Sequence, residues 1–446
     1  MSFTPAHLLQ QLAQLPAAQR YWIAYSGGCD SHVLLYAMAA LREQLAVPIH
    51  AIHVNHGLQS QAAEWEKHCQ QVCDRLAVPL EIARVDAASA AGESPEEAAR
   101  KARYAVFRES LQDNDLLLMA HHQDDQAETL LLQLMRGAGV KGLAAMPMLS
   151  ALGRGRLARP LLDFSRAVLH HYALQQGLQW IDDPSNTDTR FDRNYLRHAV
   201  MPLLHQRWPA TGHTLSRVAG HMAESATLLQ VLAEQDWQRC RVAGKRLAVA
   251  ALGTLDKARV RNLLRYWLVE VCGLRMPDSK HLNRIVAEVL PAAGDANPLV
   301  SWQGGEVRRY RDELYAAHPA GHARRVQQNI PWDGKQTLQL DPQRVLIPQR
   351  VKGQGVDRRL IEQGGLSVRF RQGGEKCRPM GRQHHHSLKK LFQEWGVPPW
   401  QREQIPLLYV GEEMVQIVGY CLCEPYQANS QQDGLLVSVE KTQVCH

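Results

Sequence analysis

Four short, continuously apolar runs alternate with helical patterns over the first 120 residues, and this alternation restricts the fold more than any other feature. Trp22–Ser26 (WIAYS), Ile49–Val54 (IHAIHV), Leu80–Val85 (LEIARV) and Leu116–His121 (LLLMAH) each read as a strand buried on both faces. Between them, Ser31–Leu45, Gln59–Leu76 and Pro95–Leu111 place apolar residues at helical spacing. Strands apolar on both sides, joined by helices, predict an α/β domain: a parallel Rossmann-like sheet with helices on both faces. Such sheets bind ligands beyond the carboxyl ends of their strands, so the loops after strands are the places to look for chemistry.

The loop after the first run is Ser26-Gly27-Gly28-Cys29-Asp30-Ser31, and it leads straight into a helix. Two glycines allow positive φ and close approach of backbone to an anion. The amides of a helix N-terminus then cradle phosphate. Asp30 adds a carboxylate suited to Mg2+ bridging phosphate oxygens. The chain has no GxxxxGK[ST] loop. An ordinary glycine turn with an Asp or Ser cap would share these letters, but the strand–turn–helix context favours phosphate.

The loop after the fourth run is His121-His122-Gln123-Asp124-Asp125-Gln126-Ala127-Glu128-Thr129. His122, Asp125 and Glu128 recur every three residues and so share one helix face. They suit a metal, a ribose or a substrate amine, whereas a capped and solvated helix start is the plainer account. Arg136–Gly142 contains GxGxxG by letter, but it follows a helix rather than a strand and fails the context a dinucleotide loop requires. His384–His386 lies among basic residues without nearby Cys or acidic partners, which favours a solvated or RNA-facing run over a metal site. Neither Cys69/Cys73 nor Cys421/Cys423 has zinc-ligand spacing, so small buried hydrophobes are the default.

The chain of 446 residues is too long for one core. Its texture changes after about Met148: a Gly/Arg-rich loop, a polar stretch Trp180–Arg197, and a long amphipathic helix Thr214–Cys240. Helices over Leu255–Cys272 and Ser279–Leu290 follow, then a Gln/Pro/Gly-rich linker within Pro319–Gln354. The tail Leu366–Gly419 reads as strands LSVRF, PLLYV and MVQIVGY with one helix, Ser387–Trp395. Between Gln343 and Arg402 stand thirteen Lys and Arg against four acids, a local excess of nine in a chain of net charge +7. Such a region attracts polyanions, nucleic acid above all, although an incidental basic surface would look the same. No apolar run is long enough to span a bilayer, no signal peptide is recognisable, and nine scattered cysteines suit free thiols in a reducing, cytoplasmic setting.

SGGxDS after a first strand resembles the PP-loop of the N-type ATP pyrophosphatases, and further blocks narrow the match to tRNA(Ile)-lysidine synthetases. These blocks are His53-Val54-Asn55-His56-Gly57-Leu58, Arg100–Tyr104, HHQDDQAET, and Asp183–Asp188 with Arg193, Asn194 and Arg197. The resemblance implies a PP-loop catalytic domain over 1–217, a helical tRNA-binding domain over 218–330 and a small basic α+β domain over 345–446. It implies ATP and Mg2+, with Ser26, Gly27, Gly28, Cys29, Asp30, Ser31 and His53 at the nucleotide and Asp30 at the metal. No role is assigned to the Cys29 side chain. The implied reaction ligates L-lysine to C2 of the wobble cytidine of tRNA(Ile) with anticodon CAU, through an adenylated tRNA. Asp30, Arg103, Asp124, Asp125 and Arg197 are the expected catalytic residues. Arg103 would clamp phosphate, Asp124 or Asp125 would orient the lysine amine, and Arg193 and Arg197 suit the RNA. A PP-loop tRNA thiolase would need a suitably spaced cysteine pair, and a non-enzymatic RNA-binding protein would leave both loops unexplained. A cytidine deaminase would need P-C-x-x-C, which is missing.

Overall fold

The computed structural model describes residues 2–55, 61–85, 95–293, 296–319, 329–342 and 344–441. His56-Gly57-Leu58 of the HVNHGL block lies outside the described residues, as do Gln59 and Ser60 and part of the expected linker, 320–328 and Gln343, while the rest of that stretch holds the strands Asn329–Trp332, Leu338–Asp341 and Arg344–Lys352. The chain forms two compact units, 1–232 and 233–446.

In the first unit, α1 (Pro5–Leu12) precedes β1 (Arg20–Ala24), α2 (Cys29–Ala40), β2 (Ile49–Asn55), α3 (Ala62–Arg75) and β3 (Leu80–Arg84). Then come α4 (Pro95–Ser110), β4 (Asp115–Leu118), α5 (Gln123–Met135), α6 (Val140–Leu143), β5 (Leu149–Leu152), β6 (Gly155–Ala158) and α7 (Arg166–Gln175). The strand order is β3-β2-β1-β4-β6-β5, parallel throughout except for β5. The chain builds outward from β1 through β2 to β3, then returns to the other side of β1 with β4. The crevice between β1 and β4 is therefore the point where strand order reverses, and both candidate loops open into it. Side chains alternate across β1: Tyr21 and Ile23 join the core with α1, α2 and α7, while Trp22 packs with Phe107 of α4 and with Leu111 just beyond it on the opposite face.

The Gly/Arg-rich stretch expected as a loop is instead the β5–β6 hairpin. Gly153 supplies its turn at φ +59°, and a Cβ there would lie 2.8 Å from the Arg108 carbonyl oxygen. Too few residues alternate for the strands to show in the sequence. The polar stretch after Trp180 becomes a tight turn at Pro184–Thr187, then α8 (Asp192–Tyr195) running into α9 (Met201–Arg207), with α10 (Thr211–Cys240) behind it.

The second unit starts within the last turns of α10. Helices Lys257–Tyr266 and Ser279–Arg284 each continue into a wider π turn, as expected of the two helical segments. They pack on a five-stranded antiparallel sheet that sequence reading did not anticipate, with Trp267 fully buried between. Its strands are two to six residues long, too short for a clear period of two. The tail forms further antiparallel sheets containing Leu366–Arg369, Leu407–Val410 and Glu413–Ile417, with the expected helix at Leu388–Glu394 capped by Ser387. Among the described residues no helix is long and apolar enough to cross a membrane.

Candidate active site

The loops after β1 and β4 meet in a cavity of about 800 Å3. Ser31 Oγ ties the first loop together, donating to the Gly28 carbonyl at 2.9 Å and accepting the Ser26 N–H at 3.3 Å. Gly27 sits at φ +85°, and a Cβ there would lie 2.8 Å from Ile181 Cδ1 and 3.1 Å from Cys69 Sγ. Its carbonyl accepts the Ile181 N–H at 3.0 Å, so the segment beyond Trp180 lies directly on the loop. Gly28 begins α2 without a side-chain cap, which leaves first-turn amides for an anion.

Asp30 projects from that first turn. Its Oδ2 lies 3.5 Å from His122 Nε2, and its Oδ1 is buried without a hydrogen-bond partner. A buried carboxylate oxygen left unmatched is costly, and a cation would satisfy it. Among the described residues no group of three or more His, Cys, Asp or Glu is placed to hold a metal. Mg2+ at Asp30 would therefore complete its shell with phosphate oxygens and water, as this ion usually does.

His122 caps α5. Its Nδ1 accepts the Asp125 N–H at 3.3 Å, while Asp125 Oδ2 accepts the His122 N–H at 3.0 Å. This marks the neutral tautomer with its proton on Nε2, facing Asp30 and Asp125. Burial opposes a second proton, but the carboxylates of Asp125, Asp30 and Asp124 outweigh it and raise the imidazole above its usual range. Asp125 Oδ1 accepts from Arg193 Nη2 and Arg197 Nη2, each at 3.0 Å. One helical turn on, Glu128 accepts from Arg193 Nε at 2.9 Å and Arg197 Nε at 2.7 Å. Burial alone would raise the Asp125 carboxyl, yet the charges of His122 and Arg193 hold it down at about 2. The shared face read from the spacing of His122, Asp125 and Glu128 is thus a buried one, holding two acids against two arginines. Arg193 and Arg197, expected to suit RNA, turn onto these acids.

His53 Nδ1 lies 2.9 Å from the Tyr25 carbonyl in the cavity wall, and burial keeps its imidazole neutral. Arg103 reaches the same wall from α4, beside Arg100, which stacks over Tyr104. Burial, then the neighbouring Asp30, pushes the Cys29 thiol up to about 12, so it presents no thiolate. Asp124 is the exception: its Oδ2 accepts the Arg166 N–H at 2.8 Å, and it does not line the cavity. Asn194 holds the Asp183–Asp188 turn by donating to the carbonyls of Ser185 and Asp188. Sequence reasoning missed Ile181 and Arg166. The apolar Trp180-Ile181 pair inside a polar stretch was the available signal for the first.

Comparison with known proteins agrees along the whole chain. A PP-loop domain family matches residues 3–204, a TilS substrate binding domain family matches 247–315, and a TilS substrate C-terminal domain family matches 366–439. The tRNA(Ile)-lysidine synthase of Coxiella burnetii is 45% identical over 98% of this chain and 97% of its own. That of Methylococcus capsulatus is 43% identical over 91% and 93%. Among solved structures, the U34-tRNA thiolase NcsA of Methanococcus maripaludis aligns with TM-score 0.42 and 16% identity, over 49% of this chain and 77% of that one.

Proposed function

From the chain's membership of the tRNA(Ile)-lysidine synthase family, we propose the following account of its substrates, site residues and domains. The protein is an ATP-dependent ligase that forms a carbon–nitrogen bond on tRNA, producing lysidine. Its substrates are ATP, L-lysine and the tRNA(Ile) whose anticodon is CAU. The cytosine O2 attacks the α-phosphorus of ATP and pyrophosphate leaves. The lysine ε-amine then adds to C2, and AMP departs with the oxygen. Residues 1–217 carry this chemistry, while 218–330 and 345–446 hold tRNA.

Uncapped amides of α2, Ser26 and Ser31 would hold phosphate oxygens, with Arg103, which also lines the cavity, as a clamp. Mg2+ at Asp30 would supply charge neutralisation as pyrophosphate leaves. His53 would pack beside the nucleoside. Asp125, ionised at any working pH, suits acceptance of N–H bonds from the amine. With a carboxyl at about 2 it is a poor proton acceptor, so its role is orientation. Arg197 holds Asp125 in place through Glu128 and Oδ1.

The observation that carries this reading is the meeting, in one cavity, of an uncapped helix N-terminus and the Asp125 carboxylate. A thiolase reading is disfavoured: Cys29 is held as a thiol, and Cys69 and Cys73 are buried thiols pushed up to about 12. The test is incubation with ATP, CAU-anticodon tRNA and labelled lysine. ATP-dependent label in the RNA, with AMP and pyrophosphate released, is expected; label that stays in free lysine while pyrophosphate forms would remove lysine as the acceptor.

A further inference from the structure

Arg100, Arg103, Arg166, Arg193 and Arg197 all line the ATP cavity. Arg193 and Arg197 are engaged with Asp125 and Glu128, and Arg100 stacks over Tyr104 and donates to its hydroxyl at 3.2 Å. Arg166 differs. It is exposed, and its guanidinium has no hydrogen-bond or ion-pair partner among the described residues. Its backbone, in contrast, is firmly placed. Leu161 pairs with His122 in a parallel bridge, Gln123 N–H donates to the Phe164 carbonyl at 2.9 Å, and Asp124 Oδ2 accepts the Arg166 N–H at 2.8 Å. The start of α7 is thus fastened to the start of α5. Further along, α7 lies beside α2: the Tyr36 and Tyr172 rings meet with centroids 6.4 Å apart, and Tyr36 Oη donates to Gln176 Oε1 at 3.2 Å. About two turns back on each helix stand Cys29 and Arg166, both in the cavity wall, so the two helices begin side by side.

We propose that Arg166 clamps the β- and γ-phosphates of ATP and the pyrophosphate that leaves, and that Asp124 is its positioning residue; this rests on the ATP-dependent reaction given above. The strand order sets the direction in which ATP lies. His53 belongs to β2, on one side of β1, whereas α5 and the segment fastened to it follow β4, on the other side. A nucleoside beside His53 therefore sends its phosphate chain over the uncapped start of α2 toward Arg166. The charge of Arg166 already reaches that loop: at the Cys29 thiol it opposes the upward push of burial and of Asp30. A guanidinium presents a planar fork of N–H donors that takes two phosphate oxygens at once. As the bond to the α-phosphorus breaks, its electron pair passes to the bridging oxygen and the charge on pyrophosphate grows. A clamp there strengthens toward the transition state and so lowers the barrier. Asp124 gains a role from the same geometry. It does not line the cavity, but its Oδ2 fixes the Arg166 backbone and lies 3.8 Å from His122 Nδ1, while His122 Nε2 is 3.5 Å from Asp30 Oδ2. One line of contacts thus joins the Asp30 carboxylate to the clamp.

The experiment titrates ATP, AMP and inorganic pyrophosphate onto the full-length protein by calorimetry with Mg2+ present, and measures tRNA affinity in parallel. AMP carries the nucleoside and the α-phosphate but nothing for Arg166 to hold. R166Q should weaken ATP and pyrophosphate binding about tenfold or more, the worth of one charge-assisted hydrogen bond, and leave AMP and tRNA binding unchanged. R166K keeps the charge without the fork and should fall between. D124A should lose ATP and pyrophosphate affinity in the same pattern. D124N retains an oxygen for the Arg166 N–H and should recover most of that loss. In steady state, R166Q should raise the KM for ATP, slow pyrophosphate release and spare the KM for lysine. Unchanged ATP and pyrophosphate affinities in R166Q, equal losses for AMP and ATP, a loss confined to tRNA, or D124N as impaired as D124A would each overturn the proposal. An unsubstituted protein that binds ATP no more tightly than AMP would instead remove the phosphate cradle itself, and with it the reading on which the clamp rests.

Discussion

Asp30 shows how much a single residue can reveal when the loop that carries it is one short contiguous segment. Its place at the first turn of α2 follows from SGGCDS alone, and its unmatched Oδ1 adds what the sequence could not show: a buried carboxylate oxygen beside the phosphate cradle that a cation would satisfy. Asp30→Ala should therefore abolish pyrophosphate release on mixing ATP with tRNA while tRNA binding stays near normal. Release close to the unsubstituted rate would displace Asp30 from the phosphates. Arg193 is the contrary case. It lies 65 residues from Glu128, and no local pattern announces that the two pair. Its basic neighbourhood suggested RNA, and only tertiary packing turned it inward. The acid side of this cluster titrates in a defined direction. The folded carboxyl of Asp125, at about 2, lies below its ordinary 3.8, so its contribution to stability is full above about pH 4 and is lost as pH falls through 2. His122 runs oppositely: its contribution is full below about pH 6.5 and fades as pH rises through its raised folded value. Asp125→Asn should remove on the order of 2 kcal/mol at neutral pH and flatten the acid limb of a calorimetric stability curve between about pH 4 and 2. Parallel limbs in the two proteins would show that Asp125 does not set acid stability.

At the level of elements, legibility followed length and burial. The first four strands and the helices between them were readable because each is a short apolar-rich run or strongly periodic. Most ends moved by a residue or two, as caps and fraying dictate, but β4 stops three residues early at Leu118, α2 stops five residues early at Ala40 and α3 starts only at Ala62. The β5–β6 hairpin and the sheet of the middle region were not readable, since strands of two to six residues carry too few alternations. The segment after Trp180 was legible as a turn but not as a lid on the PP-loop, because Ile181 acts through a backbone bond to Gly27 that any residue could make. That contact makes Gly27 a sensitive position for two reasons. A side chain would hold a positive φ of +85° and would press on Ile181 and Cys69. The Ile181 tip can move aside, so backbone strain dominates, at about 1–3 kcal/mol. Gly27→Ala should raise the KM for ATP by tenfold or more and leave the KM for lysine less affected. Equal rises in both would mean that the substitution disturbs the whole cavity rather than the nucleotide loop.

Across the whole molecule the sequence overstates free positive charge. Of the thirteen cations between Gln343 and Arg402, several are committed in the folded chain, some to acids outside that stretch. Arg344 pairs with Asp341, Arg369 with Glu412, Arg378 with Glu424 and Arg382 with Glu394. Arg402 is buried, donating to the Val397 carbonyl. Arg350, Lys352, Lys376, Lys389 and Lys390 remain exposed with no carboxylate within ion-pair distance among the described residues. If this region grips the tRNA body, it does so through those five, making phosphate contacts that position the RNA without reading bases. Each contact releases condensed counterions, so log affinity should fall against log salt with a slope of about −0.7 to −0.9 per phosphate. Lys389 and Lys390 lie on the first turn of the Ser387-capped helix, whose opposite face buries Leu388, Leu391 and Phe392. Charge reversal at both should weaken tRNA binding and reduce the slope by about 1.4 to 1.8, with the circular dichroism spectrum unchanged. Arg369→Gln is the matched control, because its guanidinium is already held by Glu412 and stacks on Tyr409. It should leave the slope unaltered even where it lowers stability. A salt titration of all three proteins separates the cases. Equal slopes throughout would make the basic tail an incidental surface, and tRNA docking would have to lie on the arginines of the first unit instead.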